Sequence, residues 1–544
     1  MSLIRKNRYL IQLASLICQH DRIFCFVLII GMYMMQPMSS LSFQHDALSF
    51  FLQIKHKIGS GEGKLFHPHH LYTHHIYYYV TTALYGVMPN SDIQWLVIRC
   101  FRFINLFFTV ISLMFLCKIG DIISFKRSQT TLVLLGAAFS FSTWSYATGG
   151  EIYTLPTALL LGSFVIALRY ASLRMIVVTG ITTGVGILCH LMVLAIIPAI
   201  VILLMVRQRF SHLFVYAMTV FIVVSLGYGV VINAYAFNVQ QTIDWIWPQG
   251  GHTPINLLAN VGYLIVGYLR AIISGFFLLS FTWVRSRLSD LFPMQYILDD
   301  FYLIDSLSPL TAMGITAGVV VLMGLILALL IRSIKKMVTE KHRYVHEWGA
   351  ILILFLSLIA LSVFIKDAVT TDQHVMSILL FWIIIAHGLG SLNQRIRNVL
   401  VGSIVVSLVA VNYFGAIKLL ANQNNDLFFS TTIDAQKVVG QADLIVVDLA
   451  RNYAPYFLFF DLNPEKIRYI SHYRDGQEGV LRDEINNVLA ANGSVYISRA
   501  VLDSKGYMQR RYAIRTYLYD ALNEVIATHT KSHTTAFIHL NQSQ

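Results

Sequence analysis

The chain has 544 residues, of which 56% are hydrophobic and only 12% carry a formal charge, and its mean hydropathy is +0.63. A water-soluble protein of this size needs a more polar surface, so the composition excludes an ordinary soluble enzyme. The formal net charge of +12 does not indicate a nucleic-acid partner, because most basic residues stand in short clusters beside apolar runs, as the positive-inside rule expects.

The apolar runs predict a polytopic helical membrane protein. The basic N-terminus leads into a first span at residues 23–40, which we expect to be retained, with the N-terminus in the cytoplasm. Residues 41–102 then form a long external loop, and a second span at 103–116 returns. A third span at 131–146 leads to a tight external turn at 147–154, and a fourth returns to Arg169. Later spans are predicted at residues 176–188, 191–205, 213–235, 312–331, 351–365, 377–389 and 399–419.

Residues 237–310 are the hardest part to place. They contain one strongly apolar piece at 264–281, with Arg270 in its middle. Because a basic cluster follows residue 331, an even number of crossings must lie between 237 and 310. We therefore predict an external interfacial or re-entrant segment there. Polar backbone is tolerated at membrane depth where it lines a protein cavity. The total is about eleven spans.

The composition changes near residue 422 to that of a soluble domain. Short apolar runs at 443–448, 467–471 and 494–499 predict strands, and residues 479–490 have helical spacing. The predicted fold is thus an α-helical polytopic membrane module (residues 1–421) followed by a small extracytoplasmic α/β domain (residues 422–544).

The first external loop holds the most unusual residues. Asp46 lies just beyond the first span, where it is either a general base for an acceptor hydroxyl or a helix cap or solvated acid. A histidine-rich stretch follows Lys64, and its spacing on a helix is compatible with zinc binding, with polar contacts to a phosphate or sugar, or with interfacial packing. The histidines also predict pH-dependent activity near neutrality. The candidate ligand-binding residues of this stretch are Lys64, His67, His69, His70 and His74.

Four further residues are candidates outside that loop. Glu151 and Tyr153, in the second external turn, either face the same cavity or simply begin a helix. Trp247 either anchors at the membrane interface or stacks on a sugar ring. Arg270 either extends to the interface or meets an anionic lipid phosphate, because an arginine in an apolar segment needs a partner.

This pattern resembles the GT-C superfamily of integral membrane glycosyltransferases, and most closely its protein O-mannosyltransferase-like and lipid A aminoarabinose-transferase-like branches. The shared features are an early aspartate in the first loop (Asp46), a downstream His-Pro element at residue 67, a Glu-x-Tyr turn at residue 151 and an external C-terminal domain. The resemblance is carried by residues 5–205, and by topology beyond them.

The resemblance implies a polyprenyl-phosphate-linked sugar as donor, presented from the lipid bilayer, with Asp46 as general base. Arg270, Lys64 and the histidines would stabilise the phosphate leaving group by electrostatic preorganisation. Asp46 is followed by Ala47, so the acidic pair of some branches is missing. No metal ligand is assigned for this reason, and a divalent metal cofactor stays open.

The favoured function is therefore a glycosyltransferase of the bacterial inner membrane, acting on an unidentified acceptor at the outer face. Alternatives are a transporter or flippase of lipid-linked or small polar substrates, a surface-polysaccharide polymerase or ligase, and a non-catalytic assembly or sensor protein. A transporter is less favoured because the sequence shows no internal repeat. Sequons at Asn492 and Asn541 leave an endoplasmic reticulum setting open.

Overall fold

A computed structural model describes the chain at residues 22–36, 45–61, 65–67, 69–170, 172–207, 209–246, 257–284, 287, 307–339, 344–364, 370–422, 425–447, 450–473, 477–499, 516–533 and 537–541. These residues form a helical part up to residue 422 and a smaller α/β domain after it. The predicted fold class is confirmed.

The helices of the first part are, in chain order, α1 (Arg22–Met35), α2 (His45–Ser60), α3 (Thr73–Val87), α4 (Ile93–Ile122), α5 (Arg127–Phe139), α6 (Phe141–Thr148), α7 (Thr154–Arg169), α8 (Leu173–Cys189), α9 (Ile196–Val206), α10 (Phe210–Tyr235), α11 (Val239–Ile246), α12 (Leu257–Ile272), α13 (Pro309–Thr339), α14 (Val345–Phe364), α15 (Val375–His387) and α16 (Gln394–Asn412). The last continues through a π-helical turn, Tyr413–Ile417, to Leu420.

Among the described residues, five helical stretches are long and apolar enough to span a membrane: Ile93–Ile122, Phe210–Tyr235, Pro309–Thr339, Val345–Val363 and Gln394–Leu420. Shorter apolar helices lie at Arg22–Met35, Thr154–Arg169, Leu173–Cys189, Leu191–Val206 and Asp372–His387. The chain is thus a multi-pass membrane protein, and the total of about eleven spans stays a prediction.

The second and third predicted spans differ clearly from the helices of the structure. The second begins earlier, at Ile93, because the Asp92 carboxylate caps α4 by accepting a 2.9 Å hydrogen bond from the Gln94 amide. The third is broken into α5 and α6 at Ser140. There Asn412 donates to the Phe139 carbonyl (2.8 Å), and the Ser140 hydroxyl donates to the carbonyl of Gly136 (2.8 Å). Such side-chain bonds allow a helix to break at membrane depth.

Two contacts between α1 and α4 define the two ends of the bundle. At one end Arg22 pairs with Asp121, which joins the start of α1 to the end of α4. At the other end Arg102 donates to the Tyr33 carbonyl (2.7 Å), so α1 and α4 run antiparallel. The α6–α7 turn and the break at His190 lie at this second end, which we call the site face.

Close helix packing brings α8 against α10. A Cβ at Gly180 would lie 2.7 Å from Thr219 Cβ, and one at Gly184 would lie 2.7 Å from Val223 Cγ1. Only glycine therefore fits at these two positions of α8. Small residues spaced by four are a common helix–helix contact in membranes, where packing rather than the hydrophobic effect drives association.

The C-terminal domain is built on five strands, β1 (Leu444–Val447), β2 (Ile467–Tyr469), β3 (Val495–Ser498), β4 (Thr530–His533) and β5 (Phe537–Asn541), in the order β2-β1-β3-β5-β4. Strand β1 pairs in parallel with β2 and β3, and β5 pairs antiparallel with β3 and β4. The predicted strands at 443–448, 467–471 and 494–499 are confirmed. The sequence prediction did not include β4 and β5.

In the described part of this domain, four α-helices accompany the strands: α17 (Leu427–Val438), α18 (Ala450–Phe459), α19 (Glu478–Ala490) and α20 (Thr516–Thr528). Ile445 and Val447 share a core with α17 and α18, whereas Leu444 and Val446 pack with α19 and α20. Helices therefore cover both faces of the sheet, which explains why β1 is apolar at every position.

Candidate active site

Helix α2 begins at the site face with His45 and Asp46, and its first turns pack against the α6–α7 turn. Ala47 and Phe51 are fully buried. A Cβ on Gly150 would lie 2.9 Å from Ala47 Cβ and closer still to the ring of Phe51, so only glycine fits there. The first loop and the second turn therefore meet, which is one of the two alternatives that the sequence left open. The Asp46 side chain lies outside the described residues, and its role stays a prediction.

The histidine-rich stretch reaches the break between α8 and α9. The Tyr72 amide donates to the Leu188 carbonyl (3.2 Å), and the Thr73 hydroxyl donates to the Cys189 carbonyl (2.7 Å). These bonds use carbonyls that the C-terminal end of α8 leaves without helical partners. As a result, the stretch is fixed beside His190, the residue at the break.

The rings of this stretch form a cluster. His67 stacks on His70 with centroids 5.1 Å apart, and His70 lies 4.5 Å from His190. His74 packs on Phe50 of α2 at 4.3 Å. His69 is exposed, with its ring 5.5 Å from that of His67. The structure thus brings the four predicted histidines together, with His69 at the exposed edge, and adds His190.

Burial keeps these histidines neutral. Burial, helped by nearby His69, lowers the pKa of His67 to about 4. Burial lowers the pKa of His74 to about 4 as well, and it lowers that of His70 well below the usual value, with His190 and His67 adding to the effect. At neutral pH the cluster therefore offers hydrogen-bond donors and acceptors rather than positive charge. Burial therefore disfavours titration of these three histidines near neutrality, and the pH dependence of activity stays a prediction.

The Glu-x-Tyr turn is held by one buried asparagine. Asn105 of α4 donates to the carbonyls of Gly149 (2.9 Å) and Glu151 (2.7 Å). Its own carbonyl oxygen accepts from the hydroxyls of Tyr77 (2.6 Å) and Thr154 (2.7 Å). Every hydrogen-bonding position of the Asn105 amide is filled, so the turn is fixed against both α3 and α4.

A second turn, just before α15, completes the cluster. The Tyr153 hydroxyl donates to Asp372 Oδ2 at 2.7 Å, and its ring lies 4.9 Å from that of His190. The Tyr146 hydroxyl is 3.1 Å from the hydroxyl oxygen of Thr371. Burial raises the pKa of Tyr153 well above its usual value, and the Asp372 carboxylate adds to this. Tyr153 is consequently a hydrogen-bond donor at neutral pH.

Arg270 lies in the last turn of α12, which ends at Ile272. The helix ends there because Asn412 donates to the Ile272 carbonyl (2.9 Å) and accepts from the amide of Ser274 (3.0 Å). A cation is favourable at a helix C-terminus.

Three charged side chains converge on one tyrosine. Arg270, Glu151 and Asp372 all lie close enough to Tyr146 to act on it electrostatically. Glu151 is buried, with 6% of its surface exposed. The site thus combines two carboxylates, one guanidinium and a cluster of neutral rings.

Some buried polar atoms of the cluster have no hydrogen-bond partner within the described parts of the chain: His70 Nδ1, His74 Nε2 and Asp372 Oδ1. His74 Nδ1 carries the ring hydrogen, because it lies 3.1 Å from the Leu65 carbonyl, which can only accept. His74 Nε2 is therefore an acceptor. Buried polar atoms without partners are uncommon in proteins and point to a bound ligand or water.

Two predicted site residues, Lys64 and Trp247, lie outside the described residues. Within the ranges that the structure describes, no set of three or more His, Cys, Asp or Glu side chains is arranged to hold a metal ion.

The sequence prediction did not name Asn105, Tyr146, Asp372 or His190 as site residues. A usable signal existed for Asp372, since it lies in a short polar break between two apolar runs. Asn105 and Tyr146 stand inside apolar runs, where a single polar residue has no distinctive spacing.

No protein-family model matches the chain, and no curated protein matches it. Several solved structures are similar, and two of them are structures of ArnT. One is ArnT from Cupriavidus metallidurans in the apo state, with 11% sequence identity and a TM-score of 0.45 over 95% of this chain and 97% of that one. The other is ArnT from the same organism bound to undecaprenyl phosphate, with 11% identity and a TM-score of 0.42 over 96% and 98%.

Proposed function

We propose that this chain is a membrane-embedded glycosyltransferase of the GT-C type, which moves a sugar from a polyprenyl-phosphate donor to an acceptor hydroxyl. Its active site is the cluster at the site face, next to the start of α2. In this proposal the protein lies in a bacterial inner membrane, with its N-terminus in the cytoplasm and its C-terminal domain on the outer side.

The observation that carries the proposal is the set of unpartnered polar atoms, His70 Nδ1, His74 Nε2 and Asp372 Oδ1, at one end of a membrane helix bundle. A sugar carries several hydroxyls, each of which both donates and accepts. Such a ligand satisfies a donor-and-acceptor lining better than an apolar molecule does. Membrane helices beside the site suit a donor whose lipid tail stays in the bilayer.

The residues divide into roles by their chemistry. Asp46 takes the proton of the acceptor hydroxyl while the oxygen of that hydroxyl attacks the anomeric carbon of the donor sugar. The bond from that carbon to the phosphate oxygen breaks, and polyprenyl phosphate leaves with the electron pair. Arg270 stabilises the negative charge on the departing phosphate, for which a guanidinium offers two parallel hydrogen bonds.

The other polar residues bind and orient the substrates. Glu151 and Asp372 accept hydrogen bonds from sugar hydroxyls, and Tyr153 is held in place by its bond to Asp372. The neutral histidines His67, His70 and His74 contact the sugar rather than neutralise the phosphate. Lys64, His69 and Trp247 are proposed as further contacts to the donor.

The test uses purified protein in proteoliposomes with short-chain polyprenyl-phosphate sugars. Wild type, Asp46→Asn and the control Asp483→Asn, which removes a carboxylate from an exposed helix position in the C-terminal domain, are compared for donor binding and for release of polyprenyl phosphate. We expect wild type and control to bind and turn over, and Asp46→Asn to bind without turnover.

Turnover by Asp46→Asn at the control rate would refute the base assignment. If wild type binds none of these donors, the lipid-linked mechanism is wrong. Substrate flux across the vesicle membrane without a covalent product would instead support a transporter. A product extended by many sugar units would support a polymerase.

A further inference from the structure

The C-terminal domain contacts the very helix that carries Asp46. Phe428, Phe459 and other side chains of the domain share one apolar core with Phe51 and Ile54 of α2 and with Phe101 of α4. We propose that the C-terminal domain is a working part of the active site, and that Lys55 is a positioning residue that fastens α2 to this domain. The inference rests on the proposed function and assigns a role to the domain.

Lys55 binds the C-terminal end of α18. Its ammonium donates to the Phe459 carbonyl at 2.6 Å and pairs with Asp461 Oδ1 at 2.7 Å. Only 12% of the Lys55 side chain is exposed. A lysine at a helix C-terminus satisfies a carbonyl that lacks a helical partner and meets the negative end of the helix dipole.

Asp461 receives a second bond from the membrane part. Its Oδ2 accepts from Gln94 Nε2 at 2.7 Å, and Gln94 lies in the first turn of α4. The backbone of Asp461 has a left-handed φ of +57°, which turns the chain just after α18. The end of α18 is thus held from two sides, by α2 and by α4.

Phe51 connects this contact to the α6–α7 turn. Its ring lies 5.9 Å from the ring of Phe459 and 4.7 Å from that of Phe101. The same ring fills the space where a side chain at Gly150 would stand. One side chain therefore touches the C-terminal domain, α4 and the α6–α7 turn. Because protein interiors are close-packed, a shift of the domain must move this ring against the turn.

The geometry of α2 places these contacts on one face. Ala47, Phe51 and Lys55 are spaced by four residues, which aligns them along a helix. This face lies between the end of α18 and the turn at Gly150. Asp46 precedes Ala47 by one residue, so its position depends on how firmly the face is held. A displacement of about 1 Å at a reacting group can lower a rate by about two orders of magnitude.

The Lys55–Asp461 pair is expected to affect the position of α2 more than the free energy of unfolding of the protein. The Asp461 side chain is 68% exposed, and exposed ion pairs contribute little to the free energy of folding. A variant at this pair should therefore fold, and the change should appear in the turn and in the reaction rate.

The experiment compares Lys55→Met with Lys55→Arg and with the control Lys57→Met. Lys57 lies on the same helix, and its ammonium donates locally to the Gly61 carbonyl at 2.6 Å. Amide hydrogen exchange of residues 149–154 and the kcat and donor KM are measured for each full-length protein. We expect Lys55→Met to raise exchange of this turn and to lower kcat, each about tenfold relative to the control, with donor KM unchanged. Lys55→Arg should restore both.

Equal exchange and equal kcat in Lys55→Met and Lys57→Met would overturn the inference. If Lys55→Met does not fold, Asp461→Asn decides by the same two measurements, with Asp483→Asn as its control, because asparagine accepts a left-handed φ. If wild type makes no product, the proposed function fails, and the exchange of residues 149–154 alone decides whether Lys55 controls the turn.

Discussion

The hydroxyl of Tyr153 and the carboxylate of Asp372 are joined by a 2.7 Å hydrogen bond between two turns that lie 219 residues apart in the sequence. One turn leads into α7 and the other into α15. The bond brings the two turns together at the site face and holds a carboxylate against the histidine cluster. It also fixes which Asp372 oxygen is free for a ligand, namely Oδ1.

Replacing Tyr153 by phenylalanine removes this bond and leaves the ring. We expect a loss of about 1 to 3 kcal/mol in the free energy of unfolding, because Asp372 loses a donor in a buried site. Turnover should fall as the turns separate. Thermal unfolding in detergent and kcat measure both effects. Tyr79→Phe, at an exposed position of α3, is the control, and an equal effect of both variants would contradict the assignment.

Gly150→Ala tests the contact between α2 and the α6–α7 turn. The added methyl group would overlap Phe51, so α2 must shift, at about 1 to 3 kcal/mol for an overpacked site. We expect reduced turnover, partly recovered in Gly150→Ala/Phe51→Leu, where the smaller side chain leaves room. Gly86→Ala, which would meet no atom within 4 Å, should leave turnover unchanged. Strictly additive effects of the two substitutions would argue against direct contact.

The buried histidines predict acid sensitivity. The folded-state pKa of His74 is about 4, below the unfolded value of about 6.5. Between these two values the unfolded state binds more protons, so stability is fully present above pH 6.5 and is lost as the pH falls toward 4, by about 1.4 kcal/mol per pH unit for each such histidine. We expect the melting temperature of His74→Gln to fall less steeply with acid than that of wild type. The exposed-position variant His56→Gln should keep the wild-type slope. Parallel slopes for all three proteins would show that His74 is not buried as described.

Arg270→Gln tests the phosphate contact. Losing a charge-assisted hydrogen bond costs about 1.5 to 3 kcal/mol, which corresponds to about a tenfold to hundredfold weaker binding of polyprenyl phosphate. The control Arg174→Gln removes the same charge at an exposed position in the first turn of α8. It should bind polyprenyl phosphate as wild type does. Titration of both variants with short-chain polyprenyl phosphate measures the difference. Equal affinities would separate Arg270 from the donor.

Much of the fold follows from hydropathy. Long charge-free runs specify the helices, and the composition change near residue 422 specifies the second domain. The break at His190 was also predictable. The break at Ser140 was not, because the bonds that stabilise it come from Asn412 and Trp382, far along the chain.

In the candidate site, too, contacts between residues far apart in the sequence could not be predicted. Short motifs pointed to His70, Glu151 and Tyr153, since each stands in a polar stretch next to a span. Asp372 joined them only through the Tyr153 bond, and Asn105 only through four bonds to three segments. Pairings of this range depend on helix packing, which neither periodicity nor local spacing encodes.

Asn105 also has a consequence for how the protein is made. Helix α4 leaves the ribosome with this amide on it, and at that moment only Tyr77, of its four partners, has been synthesised. Gly149, Glu151 and Thr154 follow after two more helical segments. A lone amide in lipid is unfavourable. We therefore expect α4 to be retained by the insertion machinery, or against α3, until residue 154 has emerged, so that the order of synthesis sets when the site can form.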